Sequence, residues 1–316
     1  MDDLREVAAG HFLDRARGCL LGLAVGDALG TTLEFCAPGS FAPVTDIVGG
    51  GPFSLEAGQW TDDTSMALCL AESLLECRGF DPVDQLQRYV RWWDDGHMSC
   101  TGRCFDIGAT VSKALTRFKR TGEPYPGCAD ERAAGNGSIM RLAPVVLYFA
   151  ANPRKAIGYA AASSRTTHRA AEPVDACRYM ASLIVGLFAG RTKDEVLAPR
   201  FEAVPGLWDR EPLVRLVAKI RQGSFRTRQP PQVRGSGHVI ASLEAALWAF
   251  ARSSSFEEGA LLAVNLGDDA DTTGAVYGQI AGACYGLTGI PERWLERLAW
   301  RDRIAGLADR LAGAGG

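Results

Sequence analysis

The chain has 316 residues, 47% of them hydrophobic, enough for a full core and for one large domain or two ordinary ones; no linker decides for two, and residues 1–316 are taken as one domain. Its formal net charge of -3 offers neither the basic footprint of a nucleic-acid binder nor the polybasic anchor of a membrane-surface protein. The opening Met1-Asp2-Asp3-Leu4-Arg5-Glu6 lacks a secretory signal, and nine cysteines without paired CxxC spacing read as reduced, buried small hydrophobes, so a cytoplasmic location is expected.

From Leu4 to about Gly30 the pattern predicts a helix in which Gly18, Gly22, Gly26 and Gly30 recur every four residues. Each glycine weakens a helix by about 1 kcal/mol relative to alanine, so such a row implies a second backbone packed closely against it. Asp27 and Glu34 stand where this apolar segment ends. Asp27 is either a buried hydrogen-bonding residue or part of a site; Glu34 is either a solvated loop carboxylate or a site residue facing a cleft. Between Cys36 and Gln59, Pro38, Pro43, Gly49-Gly50-Gly51 and Pro52 predict irregular structure, long enough to serve as a lid.

Thr61-Asp62-Asp63-Thr64 places hydroxyls and paired carboxylates just before an amphipathic helical run that includes Met66, Leu70 and Leu74. Pro82 starts a further helix through Trp93. His97, Cys100 and Cys104 suggest zinc only if a second pair joins them, and the sequence supplies none. The polar stretch from Ser99 to Gly108 precedes a helix over Ala109–Arg120; Asp106 either caps that helix or presents a carboxylate to a cationic group. Gly135-Asn136-Gly137-Ser138 is either a plain turn and cap or a cradle whose backbone N–H groups bind phosphate.

Helical patterns continue over Arg154–Ser164 and Pro173–Ala189, with His168 at the polar break between them as either a ligand contact or a local cap. Residues 199–237 read as irregular surface connections. Val239–Ala251 and Phe256–Val264 return to helical spacing and lead to Leu266-Gly267-Asp268-Asp269-Ala270-Asp271-Thr272-Thr273-Gly274. This stretch is either an ordinary helix cap or solvated acidic loop, or a metal site: one cap needs one such residue, carboxylates crowded so closely repel one another, and a hard cation with oxygen ligands is the simplest way to hold them. Gly274, Gly278, Gly282 and Gly286 then repeat the glycine row of the first helix, so two central helices are expected to pack together, with two acidic helix starts facing across one site. The run through Ile290 carries too many small residues and too acidic a start for a membrane span, and the final Gly313-Ala314-Gly315-Gly316 should fray.

Taken together, the segments Gly18–Glu34, Trp60–Met66, Phe105–Gly108, Gly135–Arg141 and Leu266–Gly274 resemble the ADP-ribosylglycohydrolase family, most closely its dinitrogenase reductase-activating glycohydrolase branch. The resemblance implies an all-α fold with a central binuclear metal cleft that takes ADP-ribose. It implies two Mg2+ ions, with Mn2+ an option, held by Thr61, Asp62, Asp63, Asp269, Asp271 and Thr272. Glu34 would be the general acid/base, with Asp62 its rival, and Asp106 would meet the guanidinium of a modified arginine. Gly108, Gly135, Asn136, Gly137, Ser138, Met140, Arg141 and His168 would contact the substrate. The implied reaction is hydrolysis of the N-glycosidic bond between ADP-ribose and arginine of an ADP-ribosylated protein, releasing ADP-ribose, by a monomer. Another ADP-ribosyl linkage, or a non-catalytic ADP-ribose-binding or structural relative, is the alternative.

Overall fold

In the computed structural model, which describes residues 2–314, the chain runs through sixteen α-helices and three 3-10 turns, and no sheet forms among the described residues. Helices α1 (Asp2–Gly30), α2 (Asp62–Glu76), α3 (Pro82–Asp95), α4 (Ala109–Thr121) and α5 (Ala143–Tyr148) lead into the hairpin α6 (Pro153–Arg165) and α7 (Ala171–Phe188). Four short helices, α8 (Lys193–Leu197), α9 (Leu207–Arg210), α10 (Arg215–Arg221) and α11 (Ser224–Thr227), follow. The chain ends with α12 (Val239–Arg252), α13 (Phe256–Val264), α14 (Ala270–Tyr285), α15 (Glu292–Arg297) and α16 (Arg301–Ala314). No described helix is long and apolar enough to cross a membrane. Of the tail expected to fray, Gly313 and Ala314 are helical, while Gly315 and Gly316 lie outside the described residues.

The glycine rows do what their spacing predicts. Helices α1 and α14 run antiparallel with their backbones in contact: a Cβ on Gly22 would lie 2.4 Å from the Gly278 carbonyl oxygen, and one on Gly26 2.0 Å from that of Gly274. No larger residue fits between them. One apolar core from Ala16 to Leu311 surrounds this seam. Because α1 ends and α14 begins at the same end of the seam, Asp27 and Glu34 are brought up against Asp269 and Asp271.

Three expectations change. The cap reading of Gly135–Ser138 would put a helix start directly after it, but the next helix begins only at Ala143, because residues 136–142 form a tight turn in which Ile139 N and Met140 N both donate to the Asn136 carbonyl. Residues 199–237 are not mere surface connections: α9 to α11 insert Trp208, Ile220 and Phe225 into the core. The segment expected to act as a lid is irregular but pinned. Val44 and Asn265 exchange two hydrogen bonds of 2.8 and 3.0 Å, Arg297 donates to the Ile47 carbonyl, and Ala299 N donates to the Gly58 carbonyl. Opening residues 44–58 as a lid would break all of these.

Candidate active site

The N-terminus of α2 is organised by Asp27 from the last turn of α1. Its Oδ1 accepts from the backbone N–H and the hydroxyl of Thr61, both at 2.9 Å, and its Oδ2 accepts from the N–H and hydroxyl of Thr64, at 3.0 and 2.7 Å. Asp27 is thus a buried hydrogen-bonding residue with both oxygens used to shape the start of α2, and it also stands within the carboxylate cluster. Burial pushes its carboxyl up to about 6 against the pull of those four hydrogen bonds.

Thr61 Oγ1 also lies 3.3 Å from Asp63 Oδ2 and 3.2 Å from Asp271 Oδ2, and Thr272 Oγ1 lies 3.3 Å from the same Asp63 oxygen. A threonine hydroxyl has one proton and cannot donate to three carboxylates at once. Asp63 Oδ1 is buried with no hydrogen-bond partner at all. A hard divalent cation coordinated by oxygen satisfies both conditions, so these residues fit a metal. Among the described residues, two groups of carboxylates have oxygens within 4.8 Å of one another: Asp27, Asp63 and Asp271, and Glu34, Asp106 and Asp271. Asp271 belongs to both.

Glu34 follows a 3-10 turn that extends α1, and its Oε2 accepts from Ala270 N at 3.1 Å, at the positive end of α14. Burial pushes its carboxyl well above the usual range, aided by the negative charge of Asp271 and a hydrogen bond to it. Burial likewise raises Asp62, Asp63 and Asp271, with neighbouring carboxylates adding to each. Asp106 does not cap α4, whose N-cap is Gly108 without a side-chain bond. It holds a left-handed backbone, φ 58°, and lines the cavity; burial, then the charges of Asp269 and Asp27, push its carboxyl up to about 7.

The cavity measures about 370 Å³ and is lined by Glu34, Asp62, Asp106, Asp269, Asp271 and Thr272 on its acidic side and by Gly108, Gly135, Asn136, Gly137 and Met140 elsewhere. Asn136 joins the two sides, since its Nδ2 donates to Asp269 Oδ2 at 2.7 Å. Its backbone N–H, however, is spent on the Gly237 carbonyl, so a cradle has one donor fewer than the sequence suggested.

Thr61, Asp63, Ser138, Arg141 and His168 do not line the cavity. Ser138 accepts from Ser164 at 2.8 Å in the interior. Arg141, fully buried over the Tyr89 ring, donates to the Gly137 carbonyl at 2.9 Å and to Thr167 Oγ1 at 2.6 Å, and that hydroxyl meets His168 Nδ1 at 2.9 Å. The His168 ring fills the space behind the cradle: a Cβ on Gly137 would sit 2.9 Å from it. Direct contact by Ser138, Arg141 and His168 therefore gives way to a supporting role, because all three are enclosed by protein. Burial and the Arg141 charge push His168 down to about 3, so it stays neutral.

The zinc alternative fails on geometry: His97 pairs with Glu72 at 2.6 Å, while Cys100 Sγ faces the Trp60 backbone. Sequence reasoning missed Gly235 and Gly237. The first accepts from Asp269 N at 2.7 Å and the second lines the cavity. The Gly235-Ser236-Gly237-His238 stretch before α12 was the available signal. Phe35, which also lines the cavity, was missed as well.

A helical scaffold that gathers acidic helix starts around a cation-fitting cleft defines a class, the all-α proteins built around a carboxylate-lined metal-binding cleft. The ADP-ribosylglycohydrolase family profile matches residues 9–316, and the chain belongs to that family. It is 45% identical to the ADP-ribosylarginine hydrolase Tri1 of Pseudomonas putida, over 95% of this chain and 78% of that protein. Against the ADP-ribosyl-[dinitrogen reductase] glycohydrolase of Rhodospirillum rubrum the identity is 33%, over 90% of each. A solved structure described as an ADP-ribosylglycohydrolase-related protein complex superposes with a TM-score of 0.85 at 45% identity, covering 97% of this chain and all of the other.

Proposed function

We propose that the protein is a metal-dependent hydrolase that cleaves the N-glycosidic bond between ADP-ribose and a protein arginine. The observation that carries this reading is the convergence of the acidic starts of α2 and α14 with the Gly135–Gly137 turn on one cavity. Relatives at 41 and 45% identity bearing the name ADP-ribosylarginine hydrolase support the arginine linkage.

Thr61, Asp62, Asp63, Asp269, Asp271 and Thr272 would hold two Mg2+ ions, or Mn2+. Bound there, the cations would supply Lewis-acid chemistry that orients the ribose hydroxyls and polarises the reacting sugar. Glu34 serves as the general acid/base: ionised once bound cations offset the burial and the charges of Asp271 and Asp269 that hold its proton on, it takes the proton of the attacking water as the water oxygen bonds to the ribose carbon; Asp62 is its rival for that task. The bond to the guanidino nitrogen breaks with its electron pair passing to nitrogen and positive charge building on the ribose, which the surrounding carboxylates stabilise; the proton taken up by Glu34 then passes to the departing nitrogen, so that arginine leaves as its guanidinium. Asp106 faces the leaving guanidinium. Gly108, Gly135, Gly137 and Met140 contact ADP-ribose, Asn136 holds Asp269 in place, and Ser138, Arg141 and His168 brace the turn from behind. The chain acts as a monomeric single domain in the cytoplasm, with no nucleic-acid or membrane partner.

Release of ADP-ribose from an arginine-ADP-ribosylated protein, measured with Mg2+, Mn2+ or a chelator beside a serine-linked substrate, tests the reading. Metal-dependent release from arginine is expected, and Glu34→Ala and Asp269→Asn should each abolish it. Unchanged hydrolysis in both variants would refute the site assignment.

A further inference from the structure

We propose that Phe35, with Phe53 and Phe105, forms an acceptor subsite at the cavity, an aromatic wall that takes the aliphatic stem and guanidinium of the arginine being released. The proposal rests on the arginine reading above and assigns the part of the substrate that lies beyond ADP-ribose.

Phe35 lines the cavity beside Glu34 and is 66% exposed, one of two large hydrophobic side chains left so open among the described residues. A single exposed ring would need no explanation. Here three rings from separate segments meet: Phe35 and Phe53 with centroids 6.2 Å apart, and Phe53 and Phe105 at 5.2 Å. The segment pinned over residues 44–58 supplies the middle ring.

The backbone is held in an unfavourable conformation to present Phe35 this way. Its φ is 60°, a left-handed value that bulky residues rarely adopt. Two hydrogen bonds lock it, from Phe35 N to the Asp268 carbonyl at 2.7 Å and from Asp268 N to the Cys36 carbonyl at 2.8 Å. Asp106, next to Phe105, is left-handed too. Each outer ring is therefore the chain neighbour of a carboxylate that lines the cavity, Glu34 for Phe35 and Asp106 for Phe105.

Two cavity carboxylates beside an exposed ring, Phe35, which Phe53 and Phe105 back from outside the cavity lining, suit a flat organic cation. Carboxylates accept from the N–H edges of a guanidinium, while rings stack on its face and cover the methylene stem. A neutral adenine ring brings no cationic N–H edge for these carboxylates to accept from, whereas a guanidinium does. A serine acceptor has no stem to lay on the wall.

The test compares the parent protein with Phe35→Ala and Phe35→Trp, reading kcat and KM on an arginine-ADP-ribosylated protein and ADP-ribose affinity by calorimetry. Phe35→Ala should lower kcat/KM about tenfold, chiefly through KM. ADP-ribose affinity should change less than twofold, and Phe35→Trp should restore most of the loss. An unchanged kcat/KM, or an equal fall in ADP-ribose affinity, overturns the acceptor subsite while leaving the arginine reading intact. No release by the parent protein overturns the arginine reading, and the subsite with it. Phe105→Leu, which keeps apolar volume but removes a ring, gives the same readout if Phe35→Ala does not fold.

Discussion

Gly26→Ala probes the link between the helix seam and the site. The new Cβ would lie 2.0 Å from the Gly274 carbonyl oxygen and 2.4 Å from its carbon, against a practical minimum near 3.0 Å. The helices must therefore part by about 1 Å, since mid-helix backbone cannot rotate aside as a side chain can. Overpacking of this kind costs up to about 3 kcal/mol, and the helix preference of alanine over glycine returns about 1 kcal/mol. The net loss of roughly 2 kcal/mol corresponds to a fall of ~3 °C in melting temperature for a chain this long. Activity should suffer more, because Asp27 follows Gly26 directly and Asp271 starts the facing helix; a displacement of about 1 Å at reacting groups costs on the order of 100-fold. Gly158→Ala in α6, where nothing lies within 4 Å of the added carbon, is the control: about 1 kcal/mol of added stability and unchanged turnover are expected. Calorimetry and ADP-ribose release read both variants. Parent-like melting and turnover in Gly26→Ala would refute backbone contact between α1 and α14.

Asp27→Asn replaces one capping oxygen with an amide donor that faces two further donors, either those of Thr61 or those of Thr64. A loss of about 3 kcal/mol in urea denaturation is expected, together with weaker cation binding by calorimetry; parent-like values in both would remove Asp27 from the organisation of the site. The acidic cluster also predicts a pH dependence. Folded Asp106 is raised to about 7 and Asp27 to about 6, mainly by burial, against ~3.9 for an unfolded aspartate. Between those values the chelated folded protein binds more protons than the unfolded chain, so the stability contributed by these groups falls as pH rises. A divalent cation such as Mg2+ bound among these carboxylates would displace those protons, so the melting-temperature gap between loaded and chelated protein should widen from about pH 4.5 to about pH 7. A constant gap across that range would count against the cluster as the cation site.

Much of the fold and part of the site were legible in the sequence because they are written in local patterns. The four-residue glycine rows could serve only close helix contact, since glycine otherwise weakens a helix. The carboxylates of Asp62 and Asp63 at the start of α2, and of Asp269 and Asp271 at the start of α14, pointed to a cation because capping needs one such residue and more crowded together repel. Helix α13 was predicted with the bounds it has, Phe256–Val264, from its spacing alone.

Other features depend on residues far apart in the chain, and only the tertiary structure decided them. Asp106 could have been a cap; a left-handed turn aims it at Asp271 instead. His168 and Arg141 belong to motif segments that suggest ligand contact, yet packing encloses them and makes them the support behind the Gly135–Gly137 turn. Gly235 and Gly237 gain meaning only when α12 brings them beside Asp269 and Asn136. Residue types and their periodicity determined which elements form and which chemistry is present. Which side chains face the cavity was decided by long-range packing and hydrogen bonding, because orientation depends on neighbours that no local window contains.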